Sequence, residues 1–191
     1  MTNEEIIDSL KKVLKRGRFE HSLGVAYTAA SLAMRYGYDV KKAFRAGLLH
    51  DCTKYMDAKE SIDYCKKNKI KISDVEKNNA SSLLHSKTGA HMASSKYGEN
   101  DEDILNAIRF HTTGKPDMTL LEKIIFIADY IEPNRKELPQ MADIRTMAFE
   151  DLNKCLVMMY ESIIGYINNG PKSGAIDNTT IDAYNFYKEL V

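Results

Sequence analysis

Ala46-Gly47-Leu48-Leu49-His50-Asp51-Cys52-Thr53-Lys54 sets a histidine and an aspartate side by side at the end of an apolar run, with a lysine close behind. Neighbours on a helix point about 100° apart and do not face one partner. At a frayed helix end, a central cation can draw both in. One neutral nitrogen and one hard anionic oxygen suit a divalent metal such as zinc, iron or manganese. The competing reading is an ordinary helix end in which Asp51 pairs with Lys54.

Four other histidines and a further aspartate are available to complete such a site. His21, in Arg18-Phe19-Glu20-His21, is expected in the first turn of a helix. There the exposed N–H groups and the dipole favour the neutral imidazole that a metal needs. His85 and His91 fall on one helix, but at a spacing that puts them on different faces. His85, near the helix start and after two leucines, is the candidate; His91 reads as structural. His111 ends a helix in His111-Thr112-Thr113-Gly114, where hydroxyls and backbone N–H groups could take a phosphate or simply cap the helix.

Asp129 interrupts an apolar helix, with Ile125 and Phe126 one turn before it and Ile131 and Pro133 after. An ionised carboxylate there costs several kcal/mol unless paired or metal-bound. Lys123, the nearest cation in its own helix, is off its face. A cation shared with histidines is one solution; a salt bridge to Arg109 or Arg135 is the other.

The elements that must position these residues are all helical. Residues 3–16 form an opening helix, with Thr2 and Glu5 as a capping box and Gly17 as a left-handed stop. A second runs from Arg18 to about Tyr36. A third runs from about Val40 to Asp51, N-capped by Asp39. A shorter one runs from Asp57 or Ala58 to about Lys67. Residues 68–81, rich in lysine and asparagine, read as a solvated connection.

Further helices span Ser82 to Tyr97, Asp101 to Phe110, Met118 or Thr119 to Ile131, Ile144 to about Asn168, and Thr180 to Leu190. Nothing alternates as a strand does, so nine or so helices with short polar joints make the chain all-α, a single-domain helical bundle. Its 191 residues suit one domain, core about 15–175, with the C-terminal helix at 180–190 packed on it. Asn168-Asn169-Gly170-Pro171-Lys172-Ser173-Gly174-Ala175 is a Gly-rich loop able to approach a phosphate or base, though not a P-loop.

Lysine plus arginine and aspartate plus glutamate number 27 each, and this balance argues against a general nucleic-acid binder. A local basic pocket for a phosphorylated ligand is compatible with it. Three cysteines without CxxC spacing imply reduced thiols and a cytoplasmic setting. Cys52 reads as a small buried residue rather than a nucleophile. The polar, acidic first residues do not resemble a signal peptide. Ile124-Ile125-Phe126-Ile127-Ala128 is too short to span a membrane.

His21, His50-Asp51, His85, His111 and Asp129, in that order on an all-helical chain, resemble the HD-domain metal-dependent phosphohydrolases. Ile108-Arg109-Phe110-His111-Thr112-Thr113-Gly114 and Ala128-Asp129-Tyr130-Ile131-Glu132-Pro133-Asn134-Arg135 narrow the resemblance to the YqeK-like branch, bacterial symmetrical diadenosine tetraphosphate hydrolases. It covers about residues 15–175.

The resemblance implies that His21, His50, Asp51 and Asp129 bind iron or another transition metal, as one ion or two. It implies that His85 and His111 serve a second metal or the phosphates. It assigns a dinucleoside polyphosphate to Arg18, Lys54, His85, His111, Thr112, Arg135 and the loop Gly170, Pro171, Lys172, Ser173, Gly174 and Ala175. Diadenosine tetraphosphate would be cut in the middle to two ADP. Asp51, Lys54, His85 and His111 form the expected catalytic set. A metal makes water acidic near neutral pH. Lys54, Arg135 and a protonated His85 or His111 stabilise charge on phosphate oxygens, and a histidine off the metal protonates the leaving group.

A homodimer is compatible with this reading; nucleic-acid and membrane partners are not expected. Two alternatives share parts of the pattern. One is an HD phosphohydrolase acting on a monophosphate, a deoxynucleoside triphosphate or an alarmone, although Thr53 and Lys54 stand where the alarmone hydrolases carry acidic residues. The other is a non-catalytic nucleotide-binding module with a structural metal.

Overall fold

The structure, a computed structural model, describes residues 1–169 and 176–191. Eleven helices follow one another among them: α1 (Asn3–Val13), α2 (Arg16–Tyr36), α3 (Val40–Leu49), α4 (Ala58–Lys67), α5 (Asp74–Asn78), α6 (Ala80–Ser95), α7 (Glu102–Phe110), α8 (Leu120–Ile131), α9 (Met141–Ala148), α10 (Leu152–Asn169) and α11 (Asn178–Lys188). No strand occurs among the described residues. The all-α, single-domain bundle expected from the sequence is what forms. No described helix is long and apolar enough to cross a membrane.

Local signals set most of the helix starts. Thr2 and Glu5, Asp57 and Glu60, Ser73 and Glu76, and Thr119 and Glu122 each form a reciprocal capping box. These satisfy N–H groups that the first turn leaves without a partner. Asp39, Asp101 and Asp177 cap α3, α7 and α11.

α2 is the axis of the bundle. α3 and α8 pack along it, α7 lies against both, and α6 lies against α7. The packed face of α2 is made of small residues, Ala26, Ala29 and Ala33 among them, all fully buried. Gly47 of α3 meets this face so closely that a Cβ there would sit 2.8 Å from the Cα of Ala26. α3 therefore lies almost backbone to backbone on α2, and its end, one turn beyond Gly47, is carried to the neighbourhood of His21. On the far side of α8, α9, α10 and α11 close the core, with Tyr160 of α10 stacked on Tyr187 of α11.

Four sequence expectations are corrected. Gly17 does not stop α1: Leu14 and Lys15 take extended backbone, Leu14 is buried at the corner, and Gly17 lies in the first turn of α2. His21 is thus in the second turn of α2 rather than the first, and the dipole argument for its neutrality lapses. Residues 68–81 are not a plain solvated connection. Ile70 and Ile72 pack on Cys65, Ala80 and Leu84 in a small second core, and the Ser73–Glu76 box starts α5. The long helix expected from Ile144 to Asn168 is two. α9 ends at Ala148, and Asp151 turns its carboxylate onto the N–H groups of Asn153 and Lys154 to begin α10. The apolar stripe continues across the break because both helices bury the same side.

Candidate metal centre and active site

Each candidate histidine reaches the site from a helix end or an inner turn, and in three of them a hydrogen bond at Nδ1 decides which nitrogen is left over. His50 follows the last residue of α3, and its Nδ1–H donates to the carbonyl of Gly47 at 2.7 Å. His111 follows the last residue of α7, and its Nδ1–H donates to Ile108 at 2.7 Å in the same way. His21 donates from Nδ1 to Oε1 of Glu132 at 2.9 Å. A carbonyl or carboxylate can only accept, so in the neutral ring of each the lone pair falls on Nε2.

Those nitrogens converge with two carboxylates. Nε2 of His21 is 2.9 Å from Oδ1 of Asp129 and 3.8 Å from Oδ2 of Asp51; Nε2 of His50 is 3.6 Å and 3.4 Å from the same two oxygens. The other oxygen of Asp51, Oδ1, faces a second group. It lies 3.4 Å from Nε2 of His85 and 3.6 Å from Nε2 of His111, and those nitrogens are 3.0 Å apart. Asp51 therefore stands between two donor clusters with one oxygen in each. Nε2 of His21 and of His50 are buried and find no hydrogen-bond partner among the described residues. Buried lone pairs left unpaired opposite carboxylate oxygens form an arrangement a divalent cation satisfies, and His21, His50 and Asp129, and His50, Asp51 and His111, can each hold one.

The HD domain model matches residues 18–134, which span every residue of both clusters. The chain belongs to the HD-domain family. It is 39% identical to a protein of Bacillus subtilis named symmetrical bis(5'-nucleosyl)-tetraphosphatase, over 87% of this chain and 88% of that one. It is 39% identical to a protein of the same name from Halalkalibacterium halodurans, over 97% and 96%. The crystal structure of a predicted HD-superfamily hydrolase involved in NAD metabolism, from Clostridium acetobutylicum, superposes with a TM-score of 0.94 at 42% identity and covers 100% of this chain and 99% of its own.

In this HD domain Asp51, His85, His111 and Asp129 line a cavity of about 370 Å³ together with Arg18, Lys54, Thr112 and Arg135. Cations already answer the carboxylates. Arg18 donates to Oδ2 of Asp51 at 2.6 Å, and Arg135 holds both the backbone carbonyl and the carboxylate of Asp129. The salt bridge weighed against a metal for Asp129 is thus present, made by Arg135; Arg109 turns instead to Asn106. The pairing of Asp51 with Lys54 does not form, because Lys54 reaches His85.

Charge at the site follows from burial and these partners. Burial favours neutral carboxyls, but His50, with His111 and His85, holds Asp51 well below the ordinary carboxylate range, and His21, His50 and Arg135 hold Asp129 below it. Burial also presses on His50, yet Asp51 and Asp129 overcome it and its pKa is raised. At His85 burial wins, helped by His111 and Lys54 against Asp51, and the imidazole is pushed well down. His85 is thus neutral at neutral pH. The cation beside it is Lys54, whose Nζ lies 2.9 Å from Nδ1 and 3.2 Å from Nε2 of the ring. Burial lowers Lys54 as well.

Other expectations find their places. His91 bonds to the hydroxyl of Tyr64, away from the cavity, as a structural residue would. Cys52 is buried, and burial pushes its thiol up to about 12, as a small buried core residue would behave. Oγ1 of Thr112 lies 3.1 Å from Nε2 of His85. Gly170, Pro171, Lys172, Ser173, Gly174 and Ala175 lie outside the described residues.

The sequence motifs give Glu132 no role, although it is almost wholly buried and bonded to His21. Its signal was a second acid, three residues after Asp129, closing the same apolar segment just before Pro133.

Proposed function

We propose that this chain cuts a dinucleoside tetraphosphate at its centre, turning diadenosine tetraphosphate and one water into two ADP. One observation carries the reading: Asp51 offers its two oxygens to two donor clusters, directly beneath a cavity rimmed by Arg18, Lys54 and Arg135. Donors for cations below and cations for phosphates above suit phosphoanhydride hydrolysis. The names carried by the Bacillus subtilis and Halalkalibacterium halodurans relatives supply the substrate.

Iron is the proposed resident ion, as one ion held by His21, His50, Asp51 and Asp129, or as two with His85 and His111. Imidazole and carboxylate donors without a thiolate suit iron, manganese or zinc, and the YqeK-like resemblance favours iron. When bound, such an ion supplies Lewis acidity and an acidified water near neutral pH.

The chain's own residues do the rest. Arg18, Arg135 and Thr112 hold non-bridging phosphate oxygens. Lys54 and His85 sit together at the cavity wall, and there they stabilise and protonate the oxygen that leaves on the second ADP. An incoming polyphosphate favours a proton on this pair, offsetting the burial that otherwise keeps His85 neutral.

A second cavity, of about 460 Å³, adjoins the first through Tyr130, Arg135 and Ile163 and is also lined by Leu138, Gln140 and Tyr166. Two tyrosine rings, an amide and a cation at the boundary suit one purine nucleoside. With one half of the substrate there and the phosphates passing Arg135, the central bond falls over the metal clusters. The proposed enzyme works in the cytoplasm, as a monomer or homodimer, without a nucleic-acid or membrane partner.

The experiment is a product assay. The metal-replete protein is incubated with diadenosine tetraphosphate and the nucleotides are resolved by ion-exchange chromatography. ADP as the sole product supports the reading; AMP with ATP, or no turnover, overturns it.

A further inference from the structure

We propose that Glu132 is a positioning residue for His21, and that Gly24 exists to admit it. The inference rests on the metal reading above. Glu132 closes α8 and is almost fully buried, yet no arginine or lysine pairs with its carboxylate among the described residues. A buried carboxylate of this kind is costly unless its oxygens are engaged, and here both are. Oε1 accepts from Nδ1–H of His21 at 2.9 Å. Oε2 accepts from the backbone N–H of Asn134 at 2.8 Å and from its side-chain amide at 3.1 Å. The turn after α8 thus holds the carboxylate in one orientation, and the carboxylate holds the imidazole.

The effect falls on the opposite edge of the ring. With the proton fixed on Nδ1, Nε2 is left as a lone pair 2.9 Å from Oδ1 of Asp129, the same oxygen that lies 3.6 Å from Nε2 of His50. A carboxylate behind an imidazole also makes the ligating nitrogen more basic. His50 and His111 take the same orientation from backbone carbonyls, which cannot supply a full charge. His21 is the one candidate ligand among the three that is backed by an anion.

Gly24 lies one turn beyond His21 on α2, on the same side of the helix. A Cβ there would fall 2.3 Å from Oε2 and 3.0 Å from Cδ of Glu132, and 3.2 Å from the amide nitrogen of Asn134. The clash is with a carboxylate pinned from both sides, so any side chain at position 24 must move Glu132 off His21. Glycine costs about 1 kcal/mol against alanine inside a helix, and here it makes the notch that lets Glu132 reach across.

The test measures metal affinity of the full-length protein by cobalt(II) titration, read through its visible absorption and by competition with a chelator. Nitrogen-detected NMR of the histidine rings reports the His21 tautomer in the metal-free protein. Glu132→Ala is expected to weaken binding about 10–100-fold, the usual cost of losing such a support, and to mix the tautomers of His21. Glu132→Gln, which keeps the shape and an accepting oxygen, is expected to lose less than Glu132→Ala.

Gly24→Ala, which replaces no candidate ligand, is expected to weaken binding as Glu132→Ala does. In the double variant the space is already vacated, so Gly24→Ala should add nothing. Wild-type protein that binds no cobalt would defeat the metal reading itself. Wild type that binds, with folded Glu132→Ala or Glu132→Gln binding equally well and an unchanged His21 tautomer, overturns this inference. So does a Gly24→Ala protein of wild-type affinity, or a Gly24→Ala loss that is the same in the Glu132→Ala background.

Discussion

Nε2 of His50 and Oδ2 of Asp51 lie 3.4 Å apart although the two residues are consecutive. They meet because α3 stops at Leu49: His50 turns its Nδ1–H back onto Gly47, and Asp51 enters the following turn. Asp51 then has its other oxygen free for His85 and His111. It follows that Asp51→Ala should strip metal from both clusters, His21→Ala from the first only and His111→Ala from the second only. Elemental analysis of metal per chain after equilibration and gel filtration measures this. Loss of an outer support costs about 10–100-fold, so each of these should cost more than that in turnover. Asp51→Ala protein with a full metal complement would contradict the shared carboxylate.

Much of this was legible before any coordinates. The apolar stripes, capping residues and helix ends gave the helical architecture, and an aspartate inside an apolar helix demanded a partner. What the sequence could not show was which partner. Asp129 found Arg135 six residues on, a distance that is out of reach along a straight helix but not around the turn that Pro133 begins. Glu132 was missed for a related reason: its partner His21 is 111 residues away, and only the packing of α2 on α8 joins them. The break between α9 and α10 was hidden because the apolar period runs through it. There the deciding signal was the side chain of Asp151, whose capping role depends on backbone geometry rather than residue type.

Lys54 is a cation kept for function at a cost to stability. Burial lowers its pKa, partly offset by Asp51, and its ammonium rests against a neutral imidazole rather than in a salt bridge. Lys54→Met keeps the aliphatic stem and removes the desolvated charge. We expect it to raise the stability of the metal-free protein by about 0.5–2 kcal/mol while slowing hydrolysis at least about 100-fold. Denaturant unfolding and steady-state kinetics on the same preparation check both halves. A variant that is less stable and fully active would contradict the assignment.

The acid limb of stability should carry the signature of His85. Burial holds its pKa well below the ordinary 6.5. The unfolded chain therefore takes up a proton near pH 6.5 that the folded site refuses, and stability falls as pH drops below that value. His50, with its pKa raised, has the opposite sign: its contribution is present below 6.5 and fades as pH rises through the folded value. Asp51 and Asp129, held below the ordinary 3.8, add stability above that pH and lose it as pH falls through their folded values. Comparing chelator-treated wild type with His85→Gln cancels the shared terms. The variant should gain on wild type as pH falls from about 7 to 5, by at most about 1.4 kcal/mol per pH unit for one proton. Urea unfolding at stepped pH reads this out, and a difference that does not change with pH would refute it.

Tyr166 tests whether a nucleoside lies in the second cavity. Tyr166 is 73% exposed on α10 and lines a cavity that shares Tyr130 and Arg135 with the phosphate site. Tyr130, by contrast, is tied down by a 2.8 Å hydrogen bond from its hydroxyl to Ser162. A base stacked on an aromatic ring contributes about 1–3 kcal/mol, or roughly 5- to 150-fold in affinity. Tyr166→Ala should therefore raise KM for diadenosine tetraphosphate within that range. It should leave metal content and thermal stability close to wild type, because the ring packs on little else. Tyr166→Phe keeps the stacking face and should behave as wild type. Initial-rate kinetics on the three proteins decide the matter: an unchanged KM for Tyr166→Ala would move the nucleoside out of this cavity, and a loss shared by Tyr166→Phe would assign the effect to the hydroxyl rather than to stacking.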